Sequence, residues 1–472
     1  MTNSETAPAD PGWRFLLRDG NGPRALMLAG GVALHAVSIY VVATIMPLVV
    51  AEVGGIAFFA WTATLYVAGS LCGAAAVPGV MARLGPRGAY RIAFALFALG
   101  SLVCSLAPSM AVLLLGRLVQ GVGGGMLPAL SYGIIRVIFP PALHARAIVL
   151  IGSVWGIAAL AGPTIGGVFG DLGAWRATFW VNVALALGFA ALTGRVLPAH
   201  TEGPSIARRF PGLRLALLAG AALCVGAGGA AAAPGPAALG VAAAVAMLAA
   251  VRALDRRAAA PLLPSQAFDP RFGLGAVSAT MGLLIIAGSA NTFLPYLLHR
   301  GHGWSTLAGG YMAAVYALSW TVFSFVSGSA GWRGVRASIA AGPPLMVVGL
   351  AVEAAAMPGG AWWALALGQV LLGAGIGLGW AHLGAMLMQV APAAERELAG
   401  PFITAAQTLA TVFGSALAGM VANLAGMTRA TTPEATAMVG AWLLAATMLA
   451  PLLACFTTWR TLVLTRERQP GS

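Results

Sequence analysis

The chain alternates between long apolar runs and short polar breaks, and the runs recur at the length a bilayer sets. About 20 apolar residues cross the hydrocarbon as a helix. Fourteen segments meet that rule. Six come first, at about 26–49, 57–80, 88–106, 109–138, 148–170 and 175–196. The polar stretch PAHTEGPSIARRFPG follows them. Two Ala- and Gly-rich segments, at about 213–232 and 237–253, come next, separated by Pro234-Gly235-Pro236. A second linker, LDRRAAAPLLPSQAFDPRF, precedes six more, at about 272–298, 305–328, 336–356, 361–390, 399–424 and 436–460.

The pattern predicts an all-α polytopic membrane protein. An N-terminal tail, 1–25, leads into a six-helix bundle, 26–196. A linker with two additional transmembrane helices, 197–271, joins it to a second six-helix bundle, 272–460, and a short tail, 461–472. Composition agrees: 59% of residues are hydrophobic and 8% charged, where soluble proteins carry about 25% charged residues. The polar first 25 residues and the long run after them give a retained first span rather than a cleaved signal.

The formal charge of +13 comes from arginine alone, for the chain has no lysine. The arginines are scattered between apolar runs, as loop anchors are, and form no stripe for nucleic acid. With the N-terminus cytoplasmic, 22 of the 26 fall inside the cell, Arg176, Arg300 and Arg429 fall outside, and Arg117 lies within the membrane. That bias obeys the positive-inside rule and places both termini in the cytoplasm. Cys72, Cys104, Cys224 and Cys455 all lie in apolar runs without CxxC spacing, so neither a disulfide scaffold nor a metal site is expected. No cofactor is expected.

The halves resemble each other. An offset of 249 lays Gly79, Gly85, Arg87 and Gly100 on Gly328, Gly334, Arg336 and Gly349. An offset of 252 lays Gly116, Gly121, Gly123 and Gly125 on Gly368, Gly373, Gly375 and Gly377, with Arg117 opposite Gln369. Gly162 and Gly167 likewise meet Gly414 and Gly419. The offset covers an even number of spans, so the repeat is parallel, as in one large class of secondary transporter.

Three stretches carry a family likeness. VMARLGPRGAYR, between the second and third segments, resembles the cytoplasmic hinge motif of the major facilitator superfamily, with Ala82 where an aspartate is usual and Gly85, Arg83, Arg87 and Arg91 in place. Arg117-x-x-Gln120-Gly121-x-Gly123 resembles its fourth-helix arginine motif. AGPTIGG, from Ala161 to Gly167, resembles the fifth-helix antiporter motif, with Ala158 where a glycine is usual. WRATFWVN and APLLP also resemble the fourteen-helix branch of drug:proton antiporters. The resemblance implies two bundles related by a pseudo-twofold axis plus two extra helices, and export coupled to proton entry.

Physical chemistry assigns roles to the motif residues. Gly121 and Gly125 in the fourth helix, with Gly162 and Gly166 in the fifth, are expected to let helix backbones approach. Pro163 interrupts the fifth-helix ladder, and Gly167 extends the same motif. Arg117 and Gln120 share a helix face and are expected to point inward, to a water-filled cavity or against the first helix. Family members often carry an aspartate in the first helix; here Ser38 is nearest and there is no acid. Of 13 acids only Glu52, Asp171 and Glu353 lie near spans, all at their outer ends.

His35 and His382 are the deep titratable groups besides Arg117, and either neutral cavity lining or proton coupling through His35 is open. Trp155, Asn291, Gln407 and Asn423 are cavity candidates or helix–helix glue. His144, His299 and His302 fall in loops and are expected to be solvated.

The sequence reading is a monomeric secondary transporter of the cytoplasmic membrane, exporting a small amphipathic organic compound by alternating access in exchange for protons. The alternative is a proton-independent facilitator or importer, which the missing first-helix acid favours. An embedded enzyme finds no HExxH, no nucleophile–base pair and no carboxylate cluster in the spans.

Overall fold

The computed structural model describes residues 20–140, 143–199, 211–258, 264–267, 269–328, 332–392 and 396–465. Arg14, Arg18, Arg208, Arg209, Arg466 and Arg468, most of the APLLP stretch, and the side chains of Arg136, Arg333 and Arg396 lie outside the described residues.

Among those residues, 13 helices are long and apolar enough to cross a membrane. One of them crosses twice. Trp61–Ser105 runs for 45 residues, about 68 Å of helix against about 30 Å of hydrocarbon. Gly85 breaks it, at φ 66° and ψ 178°, a conformation open to a residue without Cβ. The two arms fold back on each other, because both touch the next helix at one level. A methyl on Gly121 would strike the Tyr66 carbonyl of the first arm, and one on Gly123 would strike Ala93 and Phe97 of the second. The loop expected between the second and third segments is thus reduced to a single-residue break.

Numbering the crossings in order, α1 is Asn21–Val53, α2 and α3 are the arms 61–84 and 86–105, and α4 is Met110–Ile138. His144–Asp171 is α5, Trp175–Val196 is α6, and the additional pair, α7 and α8, are Gly212–Ala230 and Pro234–Arg256. The second set comprises α9 (Gly273–His302), α10 (Thr306–Gly328), α11 (Trp332–Ala356), α12 (Trp362–Val390), α13 (Arg396–Leu424) and α14 (Pro433–Leu464). Backbone polar groups in hydrocarbon must be satisfied within the chain, which is why the apolar runs are helices throughout. Midway along α9 a six-residue 3-10 turn, Gly288–Phe293, interrupts the regular ladder.

An even number of crossings puts Asn21 and Thr465 on one face, here the terminal face. There Arg87 donates from Nε and Nη2 to the Leu197 carbonyl at 3.0 and 2.9 Å, and Arg91 Nε to Thr193 Oγ1 at 3.2 Å, tying the α2–α3 break to the end of α6. Arg336, the repeat partner of Arg87, donates to the Leu462 carbonyl at 3.2 Å. Ala82 and Arg83 are exposed at the break.

The two bundles meet near the opposite face. Phe59 stacks on Phe293 at 4.6 Å, inside an apolar core that runs through both bundles. A separate core fills the terminal half of the first bundle. The additional pair lies over one seam between the bundles. In α7, Gly229 abuts Met420 of α13, while Gly226 abuts the Trp61 indole of α2. Arg214 and Asp255 pair at the terminal end of α7 and α8.

Candidate functional site

Arg117 is buried in the first bundle, 1% exposed, and turned away from lipid. Its Nη1 donates to Gln120 Oε1 at 2.5 Å and to Ser38 Oγ at 3.2 Å, and its Nε to the Thr62 carbonyl at 3.2 Å. The guanidinium lies 3.9 Å above the Tyr66 ring. Gln120 donates in turn to Ser101 Oγ at 2.8 Å. The charge therefore rests on a carbonyl, a hydroxyl, an amide and an aromatic face, with no carboxylate. Of the two expected placements, the structure selects the brace against α1.

His35 adjoins this node. Its Nδ1 and the Tyr66 hydroxyl share a hydrogen bond of 2.9 Å, and the rings stack at 5.4 Å. Trp155, exposed on α5, stands edge-on to His35 at 5.8 Å. A single connected set thus runs from Ser101 and Gln120 through Arg117 and Tyr66 to His35 and Trp155, with Ser38 at its side. Tyr66 and Ser101 were not singled out from sequence. No polar motif marks them, although Tyr66 falls on the arm that the Gly121 notch receives.

The second bundle repeats the geometry with different chemistry. Gly373 and Gly377 fit the Tyr316 and Trp320 carbonyls as Gly121 and Gly125 fit those of Tyr66 and Ser70. Gln369, opposite Arg117 in the repeat, donates to Glu353 Oε1 at 2.9 Å. Glu353 lies in the last turn of α11, at its outer end as expected, yet it is 1% exposed, buried rather than facing the interface. Overlaying the third and eleventh helices at the offset of 249 puts it on the buried Cys104, and that was the available signal.

The other candidates are dispersed. Asn291 sits in the 3-10 turn of α9, donating to the Ala313 carbonyl at 3.1 Å, while its buried Oδ1 has no partner among the described residues. Gln407 is half-buried on α13. His382 is half-buried in the terminal half of α12, eight residues from its end, and meets the Ser327 carbonyl, in the last turn of α10, at 3.1 Å. His144, His299 and His302 each bond a backbone carbonyl, of Phe139, Trp304 and Met357 respectively, rather than water alone. Asn423 donates to the Ala57 carbonyl at 2.9 Å across the bundles, so it closes a seam.

The motif glycines each receive a particular neighbouring helix. Gly121 and Gly125 do not meet α5; they receive α2. Gly162 and Gly166 receive Tyr40, Val41 and Thr44 of α1, and Gly167 receives Leu307 of α10. Pro163 borders Gly310 of α10. Thr164 Oγ1 and Tyr311 Oη bond at 2.7 Å, and Asp171 accepts from Thr306 N–H at 2.9 Å. Thr164–Tyr311, Asp171–Thr306 and Asn423–Ala57, which join the bundles, lie in the half towards the opposite face. In the terminal half of α5, a methyl at Gly152 or Gly156 would meet nothing within 4 Å. Those three contacts thus lie towards the opposite face, and open space lies beside the terminal half of α5.

Two repeated helical bundles that touch along glycine-lined seams, with polar nodes buried in each, define a polytopic membrane transporter. The profile of the Major Facilitator Superfamily matches residues 28–342, and the chain belongs to that family. It is 36% identical over 436 residues to a probable multidrug-efflux transporter of Mycobacterium tuberculosis, covering 89% of this chain and 92% of that protein. It is 30% identical over 162 residues to multidrug resistance protein 3 of Bacillus subtilis, covering 34% of this chain and 32% of that one. A crystal structure of a D-xylose–proton symporter shares the fold at TM-score 0.64 and 16% identity, over 96% of this chain and 100% of that one.

Proposed function

We propose that the protein exports a small, amphipathic, weakly charged organic compound across the cytoplasmic membrane in exchange for protons, with its terminal face in the cytoplasm. The arginine distribution supports that orientation. One chain carries both bundles, so a monomer suffices.

The observation that carries the reading is the pairing of His35 with the exposed Trp155. It lies in the terminal half of α5, beyond the Thr164–Tyr311 contact with α10, on the side the arginine distribution assigns to the cytoplasm. A flat aromatic body can stack or lie edge-on there, and the imidazole offers one hydrogen bond. The nearest fixed charge, on Arg117, is buried and held by the Thr62 carbonyl, Ser38 and Gln120, which disfavours strongly ionic compounds.

Opening of one face and closing of the other then carries the compound outward, as the bundles rock along the seams. Proteoliposomes holding a pH-sensitive dye in the lumen test this. A gradient of a fluorescent bisbenzimide dye should drive proton movement in the opposite direction. Ser38, which receives Arg117 where an α1 acid would sit, favours the second reading, a proton-independent facilitator. In that case the dye moves and the lumen pH stays constant.

A further inference from the structure

A carboxyl group sits inside the second bundle with no cation beside it. Glu353 on α11 takes one hydrogen bond, from Gln369 Nε2. Two oxygens at this spot, Glu353 Oε2 and Gln369 Oε1, are buried without a donor. An ionised carboxylate only accepts. Ionised, Glu353 would leave both oxygens unsatisfied and place an uncompensated charge in the protein interior. One proton on Oε2 removes the charge and supplies a donor where both neighbours are acceptors.

The surroundings offer no other remedy. From α12 come Gln369 and Gly368, where an added methyl would strike Glu353 Cγ. From α14, Gly440 abuts Met357, one turn beyond. From α9 comes His302, whose Nε2 is engaged with the Met357 carbonyl at 2.7 Å. Arg336 lies at the far end of α11, bonded to Leu462. Among the described residues, no arginine or histidine pairs with Glu353.

The repeat sharpens the contrast. In the first bundle a methyl on Gly116 would meet Cys104 Sγ; in the second a methyl on Gly368 would meet Glu353. The first node therefore holds a permanent cation, Arg117, and the second a group whose charge a proton sets. The helix of its partner Gln369, α12, is also mechanically connected to the seam. The Val370 carbonyl, next to Gln369, accepts from Ser319 of α10 at 2.7 Å, and α10 carries Tyr311 and Thr306 against α5.

We infer that Glu353 carries a proton in this conformation, and that its release to water and its rebinding couple proton movement to opening of the opposite-face seam through α12 and α10. Glu353 is then the intramembrane acid that α1 lacks, acting as a positioning residue. The inference rests on the antiport reading, and the experiment separates the two.

Full-length protein in proteoliposomes is assayed with the bisbenzimide dye for dye-for-dye exchange and for dye-driven proton movement across a pH series. Wild type should show both, and infrared difference spectra against Glu353→Gln should reveal a neutral carboxylic-acid band at neutral pH. Glu353→Gln mimics the protonated acid, so exchange should persist while dye-driven proton movement and its pH profile are lost. Glu353→Cys places the first bundle's own residue at the site and should behave likewise, should the glutamine variant fold poorly. Wild-type proton movement and pH profile in either variant, or absence of the neutral-acid band in wild type, overturns the inference. Dye transport by wild type without any proton movement overturns the antiport reading itself.

Discussion

Asp171, the last residue of α5, accepts a hydrogen bond of 2.9 Å from the backbone N–H of Thr306, the first residue of α10. The carboxylate thus caps a helix in the other bundle, satisfying an orphan donor and opposing the positive end of its dipole. With Thr164–Tyr311 and Asn423–Ala57 it holds the opposite face shut.

Asp171→Ala should weaken that closure by about 1 kcal/mol, the usual worth of a cap. Thr44, buried against Gly310, reports the opening. A cysteine at position 44, with the four native cysteines replaced by alanine, should react severalfold faster with an impermeant thiol reagent in the Asp171→Ala background. An unchanged rate would mean the cap does not hold the seam.

The glycine notches are unequal. A methyl at Gly125 strikes the Ser70 carbonyl and one at Gly377 meets the Trp320 carbonyl, both backbone atoms that cannot swing aside. Gly125→Ala and Gly377→Ala should each destabilise the protein by about 1–3 kcal/mol. Gly156→Ala meets nothing within 4 Å and should leave the melting temperature unchanged in detergent. Equal effects at all three positions would contradict close helix packing as the reason for the glycines.

Arg117 is braced as a fork and a plane, which an ammonium cannot reproduce. Arg117→Lys should lower stability by about 1–3 kcal/mol, because buried acceptors at Thr62 and Gln120 lose their donors. Tyr66→Phe keeps the ring beneath the guanidinium and loses the hydroxyl's contacts with His35 Nδ1 and the His35 carbonyl, so it should cost about 1 kcal/mol. Thermal unfolding of the purified variants gives the ordering.

Trp155→Ala removes the exposed ring beside His35 and should raise the dye concentration for half-maximal transport about tenfold, the equivalent of 1–2 kcal/mol of aromatic contact. His35→Gln should weaken dye transport yet leave its pH profile in place, since the proton is assigned to Glu353. A pH profile that vanishes in His35→Gln would return the coupling role to the histidine.

Much of this architecture was legible in the sequence, and for physical reasons. Apolar run length fixes the crossings. Glycines at matched spacing gave the repeat, which the Gly121–Tyr66 and Gly373–Tyr316 notches display. The inward turn of Arg117 followed from the cost of a lipid-exposed charge. Helix partners were harder, because a glycine announces a close approach without saying to what: Gly121 received α2 and Gly162 received α1. Glu353 was missed because its distance from the helix end suggested the interface, whereas its burial depends on Gln369 arriving from α12. Asn423 was open between cavity lining and helix–helix glue, and only the fold reveals the Ala57 carbonyl facing it.

The claim beneath all of this is that the two bundles tilt as units, closed at one face while open at the other. Paired spin labels at Leu172 and Ser305 on the opposite face, and at Gly152 and Gly328 on the terminal face, measure it directly. Saturating bisbenzimide dye should lengthen the first distance and shorten the second in the same molecules. Two distances that change in the same sense, or that both stay fixed while transport proceeds, would contradict it.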